Sequence, residues 1–330
     1  MNNTRTIPEL VGSLIKKYKS KLLLQRRDGW SWKQITWLDF DSEVKNMASF
    51  LLSLGFKSGD SALVISSNSN ECFISELAVY SLGGRIIPFS DYNTFLEYNE
   101  AVCSAKPKFI FAQNDEFIKE IKNNKKLVKH AKRIFIFDDS KLGDNEKVVP
   151  YKAAIKFGQI KKKELTDKLK NISEQIGPEQ KALTIYTKNG DDVQGNDFDH
   201  KKIVELLSGA HDRLKFISSE DQSYCYLLSS NLFEKLINIL AISLGIRIII
   251  AEDMNCFYED ILEAKPTILI ESKAGIEQVY SKLNGNNLKD MLGCSVRYLI
   301  TDEQPAGDIK DAFKKANISI IAISQFANPN

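Results

Sequence analysis

The sequence predicts an α/β fold: two packed subdomains with mostly parallel sheets. Short apolar runs of strand length alternate with stretches whose apolar residues recur at helical spacing, the grammar of βαβ units. The alternation occurs twice, once on each side of a polar, lysine-rich stretch at 138–178. With 330 residues, 43% hydrophobic and 27% charged, the chain can bury two cores of ordinary size.

In the first block, SALVIS at 61–66 follows the turn cluster Lys57-Ser58-Gly59-Asp60 and reads as a buried strand. Apolar positions 73, 74, 77, 78 and 82 predict a helix over 71–82, stopped by Gly83-Gly84 before a strand at Arg85–Phe89. KFIF at 108–111 and RIFIF at 133–137 repeat the strand signal around a lysine-rich helical stretch. The stretch 138–178 reads as a linker carrying one solvated helix at 161–170, with Gly177-Pro178 near its end. A boundary near 178 gives subdomains 1–178 and 179–330. The second block predicts strands at 182–186, 223–228, 247–251, 267–270, 296–300 and 318–323. Helices are expected at 200–208, Leu232–Leu244 and 261–264. No repeat of 20–50 residues is present.

Composition narrows the function. A net charge of +2 gives no argument for nucleic acid as a partner. MNNTRTIPEL lacks the apolar run of a secretory signal. The apolar stretch 239–251 is broken by Ser243, Gly245 and Arg247, short of the roughly 20 residues that span a bilayer. Cysteines 72, 103, 225, 256 and 294 are scattered and contain no CxxC pair, which suits buried reduced thiols in the cytoplasm. His130, His200 and His211 share no ligand spacing, and the single nonapeptide-like turn at 194–199 lacks the stacked copies that calcium requires, so no metal is expected. No nicotinamide, Walker, hydrolase-elbow or zinc-protease motif occurs. The lysine runs at 119–133 and 156–170 read as solvated helix faces, with peripheral contact to anionic lipid as the alternative.

Several longer passages carry a resemblance. Residues 30–71 run WSWKQITWLDFDSEVKNMASFLLSLGFKSGDSALVISSNSNE, and residues 76–114 run ELAVYSLGGRIIPFSDYNTFLEYNEAVCSAKPKFIFAQN. YLLSSNLFEK at 226–235, EAKPTILI at 263–270, EQVYSK at 277–282 and LGCSVRYLITDEQP at 292–305 follow in order. Together they resemble the large N-terminal domain of the adenylate-forming superfamily, and most of all its long-chain fatty acyl-CoA synthetases. The resemblance implies ATP and magnesium as cofactors, adenylation of a fatty acid, and a first helix at 7–17 docked on the second subdomain. That family's pattern continues past residue 330 into a ribose-binding Asp, a hinge and a small domain with the adenylation lysine. On that comparison the small C-terminal domain is expected to be absent.

The nucleotide motifs that the resemblance implies are altered. A Gly/Ser/Thr loop with a lysine normally cradles the phosphates. Its counterpart here is Tyr186-Thr187-Lys188-Asn189-Gly190-Asp191-Asp192-Val193-Gln194-Gly195-Asn196-Asp197-Phe198-Asp199-His200. Tyr186, Thr187 and His200 match; Lys188, Gly190 and Gly195 are what remains of the cation and the glycines. Four aspartates stand where a polyphosphate would lie. Like charges about 4 Å apart cost about 4 kcal/mol at an effective dielectric near 20.

The glycine-rich adenine loop is replaced by Asp302 and Glu303, which add side chains where the resemblance expects none. In the last motif the Thr-Glu pair is lost and Phe326 is the one candidate for the stacking ring. The sequence therefore predicts no catalytic residues, no bound cofactor, and a pseudoenzyme that holds an acyl chain or a protein partner. Two alternatives remain at this point: an unusual or partner-dependent fatty acid–CoA ligase using ATP and magnesium, and an interaction subunit with no small-molecule site.

Overall fold

The computed structural model describes residues 4–138, 146–225, 232–251, 257–282 and 288–326. The chain opens with α1 (Ile7–Tyr18), β1 (Leu22–Asp28), β2 (Ser31–Thr36) and α2 (Trp37–Ser53). Next come β3 (Ser61–Ile65), α3 (Asn70–Ser81), β4 (Arg85–Phe89), α4 (Tyr92–Leu96), α5 (Asn99–Ser104) and β5 (Phe109–Ala112). They are followed by α6 (Asp115–Asn123), α7 (Lys125–His130), β6 (Arg133–Ile136), β7 (Val148–Pro150) and α8 (Tyr151–Glu174). β8 (Lys181–Asn189), β9 (Asp192–Asp199), α9 (His200–Arg213), β10 (Gln222–Cys225), α10 (Leu232–Leu244) and β11 (Arg247–Ile250) come after that. The rest is α11 (Phe257–Ala264), β12 (Ile268–Ile270), α12 (Lys273–Lys282), α13 (Leu288–Met291), β13 (Tyr298–Thr301), α14 (Gly307–Lys315), β14 (Ser319–Ala322) and a 3-10 turn at Ser324–Phe326.

These elements form two seven-stranded sheets, ordered β7-β6-β5-β3-β4-β8-β9 and β14-β13-β12-β10-β11-β1-β2. The orders are the same pattern twice: five parallel strands with an antiparallel hairpin beside the second of them. In the first sheet the hairpin β8–β9 follows the five strands in sequence. In the second, β1–β2 precedes them by nearly 200 residues. A single cut at 178 therefore does not reproduce the division in the structure. Among the described residues, one unit holds those within 4–15 and 38–204, and the other holds those within 16–37, 205–225 and 232–326. Residues 7–15, most of α1, fall in the first unit.

In the first sheet the doubled apolar runs have a simple cause: both faces are covered, so neither set of alternate residues is polar. Ile110, Ala112, Ile134 and Ile136 point to one face and pack with Ile118, Ile121 and Leu127 of α6 and α7. Phe109, Phe111, Phe135 and Phe137 point to the other. Phe111 stacks on Phe135 at 4.7 Å, Phe135 meets Phe50 of α2 edge-on, and Phe137 meets Tyr151 of α8.

The stretch expected to be a linker is part of this unit. Val148–Pro150 pairs with β6 as the edge strand, and α8 runs for 24 residues rather than ten. The helix lies against α3 and β6, and its Tyr151 hydroxyl donates to Glu43 Oε2 at 3.2 Å. Its inward positions are Tyr151, Ala154 and Gly158, with Asn46 of α2 directly under Gly158. Small residues build this stripe, so the sequence showed no apolar period there.

The second unit centres on Tyr224, Leu269, Leu299 and Phe313, packed with Phe257, Ile276 and Leu292. Cys72, Cys103 and Cys225 are buried as expected, but Cys294 is exposed, at a left-handed turn (φ 60°) after α13. Cys256 and the 226–231 portion of one resembling passage lie outside the described residues. No described helix is long and apolar enough to cross a membrane.

Candidate functional site

The segment expected to be a phosphate loop is a regular hairpin. Cross-strand pairs run from Thr184↔Asp197 through Tyr186↔Gly195, Thr187↔Gln194 and Lys188↔Val193 to Asn189↔Asp192. Gly190 and Asp191 make the turn, and Gly190 supplies the positive φ of 61° that a two-residue hairpin turn needs. In such a ladder about half the backbone amides bond across the strands, and the rest face the ribbon's two opposite edges. They do not converge on one point, as a phosphate cradle requires.

Side chains on the hairpin have structural partners. The Tyr186 ring lies on Phe89 at 6.4 Å, and its hydroxyl donates to the Ala101 carbonyl at 3.4 Å. A Cβ on Gly195 would stand 3.0 Å from that ring, so the glycine makes room for its cross-strand neighbour. Thr187 Oγ1 accepts from Asn196 Nδ2 at 2.9 Å, and Lys188 is exposed.

The four aspartates separate into two pairs. Asp197 accepts from Lys181 Nζ (2.6 Å), Thr184 Oγ1 (2.6 Å) and Arg85 (3.1 Å). Partial burial opposes its charge, but these partners outweigh that and hold the carboxyl below its usual range. Asp199 caps α9, accepting the Lys202 amide at 2.7 Å. Asp191 and Asp192 are exposed at the tip. Of the four carboxylates expected to face a polyphosphate, Asp197 and Asp199 are thus engaged by structural partners.

His200, the last matching residue of the motif, faces the core. It is fully buried, its Nδ1 accepts the Ile7 amide at 3.4 Å, and its ring meets Tyr80 edge-on at 6.2 Å. Burial pushes its pKa down to about 4, against weaker opposing effects of Asp199 and Glu9. Neither His200 Nε2 nor the Tyr80 hydroxyl has a hydrogen-bond partner.

The remaining candidates belong to the second unit. Asp302 Oδ1 accepts the Lys273 amide at 2.8 Å, the Glu303 amide at 2.9 Å and the Thr301 hydroxyl at 3.0 Å. The side chain thus ties the end of β13 to the start of α12. Glu303 pairs with Lys273 at 3.6 Å. Phe326 is completely buried in the 3-10 turn beside α10, so its ring is core and not a nucleotide platform. The structure groups Tyr186, Thr187, Lys188, Gly190, Gly195 and His200 along one hairpin and helix start. Asp302, Glu303 and Phe326 sit in the other unit, spread over two chain segments.

Two features escaped the sequence reading, and both lie where the strand order reverses, at the carboxyl ends of the central strands. After β12, Glu271 is a partly buried carboxyl whose pKa desolvation pushes up to about 8, with Glu234 and Asp302 adding to the rise. It accepts the Ser272 amide at 3.0 Å and occupies the space above Gly275. It borders an apolar cavity between Tyr224, Phe257 and Phe313 of about 10 Å³, room for one water and not for an acyl chain. After β3, Asn70 is buried with both amide atoms unpartnered. A charged residue directly after an apolar strand was the available signal for Glu271. Among the described residues no group of three or more His, Cys, Asp or Glu could hold a metal ion.

An α/β chain with this doubled five-plus-two sheet and a hairpin at the phosphate-loop position can be placed by comparison. Residues 16–188, just over half the chain, match the family described as AMP-binding enzyme, and the chain belongs to that family. The human long-chain-fatty-acid–CoA ligase ACSBG2 is 19% identical over 301 residues, covering 87% of this chain and 43% of that protein. The chain thus spans less than half the length of this relative. Among solved structures, the anthranilate CoA ligase AuaEII in complex with anthranoyl-AMP superposes with a TM-score of 0.77 at 14% identity, over 96% of this chain and 58% of that one. A protein of Rhodopseudomonas palustris described as a long-chain-fatty-acid CoA ligase gives 0.75 at 15% identity, over 97% and 75%. The inhibitor-bound N-terminal domain of FACL13 from Mycobacterium tuberculosis gives 0.73 at 12%, over 96% and 75%. These similarities establish the fold expected from the sequence, the N-terminal domain of acyl-CoA ligases.

Proposed function

We propose that this chain is a non-catalytic relative of the acyl-CoA ligases, using the AMP-binding scaffold to bind an acyl chain or a protein partner. The observation that carries this reading is the hairpin at the phosphate-loop position. Its ladder diverts the backbone amides, and its tip presents Asp191 and Asp192 to any polyphosphate. The engaged Asp302 side chain and the buried Phe326 ring support the same reading, since neither is offered to an adenine. On this reading the chain works without ATP or magnesium, in the cytoplasm.

Thermal unfolding with nucleotide tests it. A ligand at 100 times its Kd stabilises a folded protein by about 2.7 kcal/mol. In a chain of this size that is a rise in Tm of a few degrees, roughly 2 °C per kcal/mol. No shift is expected with millimolar ATP or AMP. The double change Asp191→Ser, Asp192→Ser removes the repulsion without touching the anchored Asp197 and Asp199, so a weak ATP response is expected there. A clear ATP-dependent rise in the unmodified chain would overturn the reading.

A further inference from the structure

We propose that the outward face of the first half of α8 docks this protein on an anionic lipid surface. Residues 151–163 carry five lysines (152, 156, 161, 162 and 163) and neither Asp nor Glu. The protein as a whole has a net charge of only +2, so this is a local concentration of charge. With Tyr151, Ala154 and Gly158 turned inward, the outward face presents two large apolar side chains, Phe157 at 56% and Ile160 at 68% exposure. Three residues apart on a helix, they are neighbours on one face. Lys156, Lys161 and Lys163 are exposed around them.

Single exposed apolar residues are ordinary on a protein surface. An adjacent pair inside a stretch of lysines without one acidic residue is the chemistry of an interfacial helix, with apolar side chains in the acyl boundary and ammonium groups among the phosphates. Phe157 is held in place by stacking on Phe50 at 5.9 Å, so the wedge is preformed. The Lys161–Glu164 ion pair at 3.1 Å is exposed on both sides and competes weakly with lipid phosphate. A nucleic acid could stack a base on Phe157 but gains nothing from Ile160, whereas a bilayer takes up both apolar side chains. That favours a bilayer as the occupant.

Co-sedimentation of the full chain with vesicles tests the proposal. Binding is expected to vesicles containing about a third phosphatidylglycerol, to be absent with phosphatidylcholine alone, and to weaken as salt rises. Each lysine near the surface contributes a factor of roughly five in partitioning. Changing Lys156→Gln and Lys163→Gln together should therefore weaken binding about 25-fold. Ile160→Ser should weaken it several-fold with the Tm unchanged, because the side chain is exposed. Phe157 is left intact because its stacking on Phe50 would confuse folding with binding. Equal binding to neutral vesicles, or full binding by either variant, would overturn the proposal. Capture by polyglutamate or single-stranded DNA with no binding to anionic vesicles would also overturn it, and would assign the face to a macromolecule.

Discussion

Gly158→Ala is expected to destabilise the protein by about 3 kcal/mol, the upper end of the usual cost of overpacking. An alanine Cβ at this position in α8 would lie 1.8 Å from the Asn46 carbonyl oxygen and 2.6 Å from its carbon. Both atoms are backbone of α2, so no side chain can swing aside, and α8 must lift from the unit. Gly12→Ala is the control. A Cβ there meets nothing within 4 Å, and the site is inside α1. Alanine's better helix propensity should raise stability by up to about 1 kcal/mol. Urea-unfolding midpoints of the two variants should therefore move in opposite directions. A silent Gly158→Ala would mean that α8 is not packed on α2 as described.

Acid stability should depend strongly on His200. Its imidazole titrates near 6.5 when unfolded and at about 4 when buried. Between those values the unfolded chain takes up a proton that the folded chain excludes, so acidification favours unfolding. Stability from this group is complete above pH 6.5 and is lost as the pH falls toward 4, at up to about 1.4 kcal/mol per pH unit. His200→Gln keeps an acceptor for the Ile7 amide and removes the titration. The variant's stability should be flatter than the parent's between pH 6.5 and 4. His211, also lowered by burial, acts in the same direction in both proteins and cancels in the difference. Parallel curves would place His200 in contact with solvent.

The parallel strands were legible because burial on both faces leaves a continuous apolar signature, as in KFIF and RIFIF. The hairpins were not. β9 is an edge strand with much of its surface exposed, so Asp192, Asn196 and Asp197 are tolerated and the segment reads as a loop. The turn signal was nevertheless present in Asn189-Gly190. β1–β2 joins strands nearly 200 residues later in the chain, a pairing that no local window contains. The site suffered from the same distance effect. Asp197 reads as a surface charge until Arg85, 112 residues away, is found beside it. Asp302 reads as an obstruction until it is seen capping a turn 29 residues upstream. Sequence alone gave the residue types at the nucleotide positions, and the fold showed which of those carboxylates are already engaged.

On the reading proposed above, this AMP-binding chain does not adenylate fatty acids. Pyrophosphate release during incubation with ATP, magnesium and fatty acids of several lengths measures that step directly. No release above a heat-killed control is expected at any chain length, whereas turnover on the order of 1 per second, typical of a working enzyme, would overturn that reading.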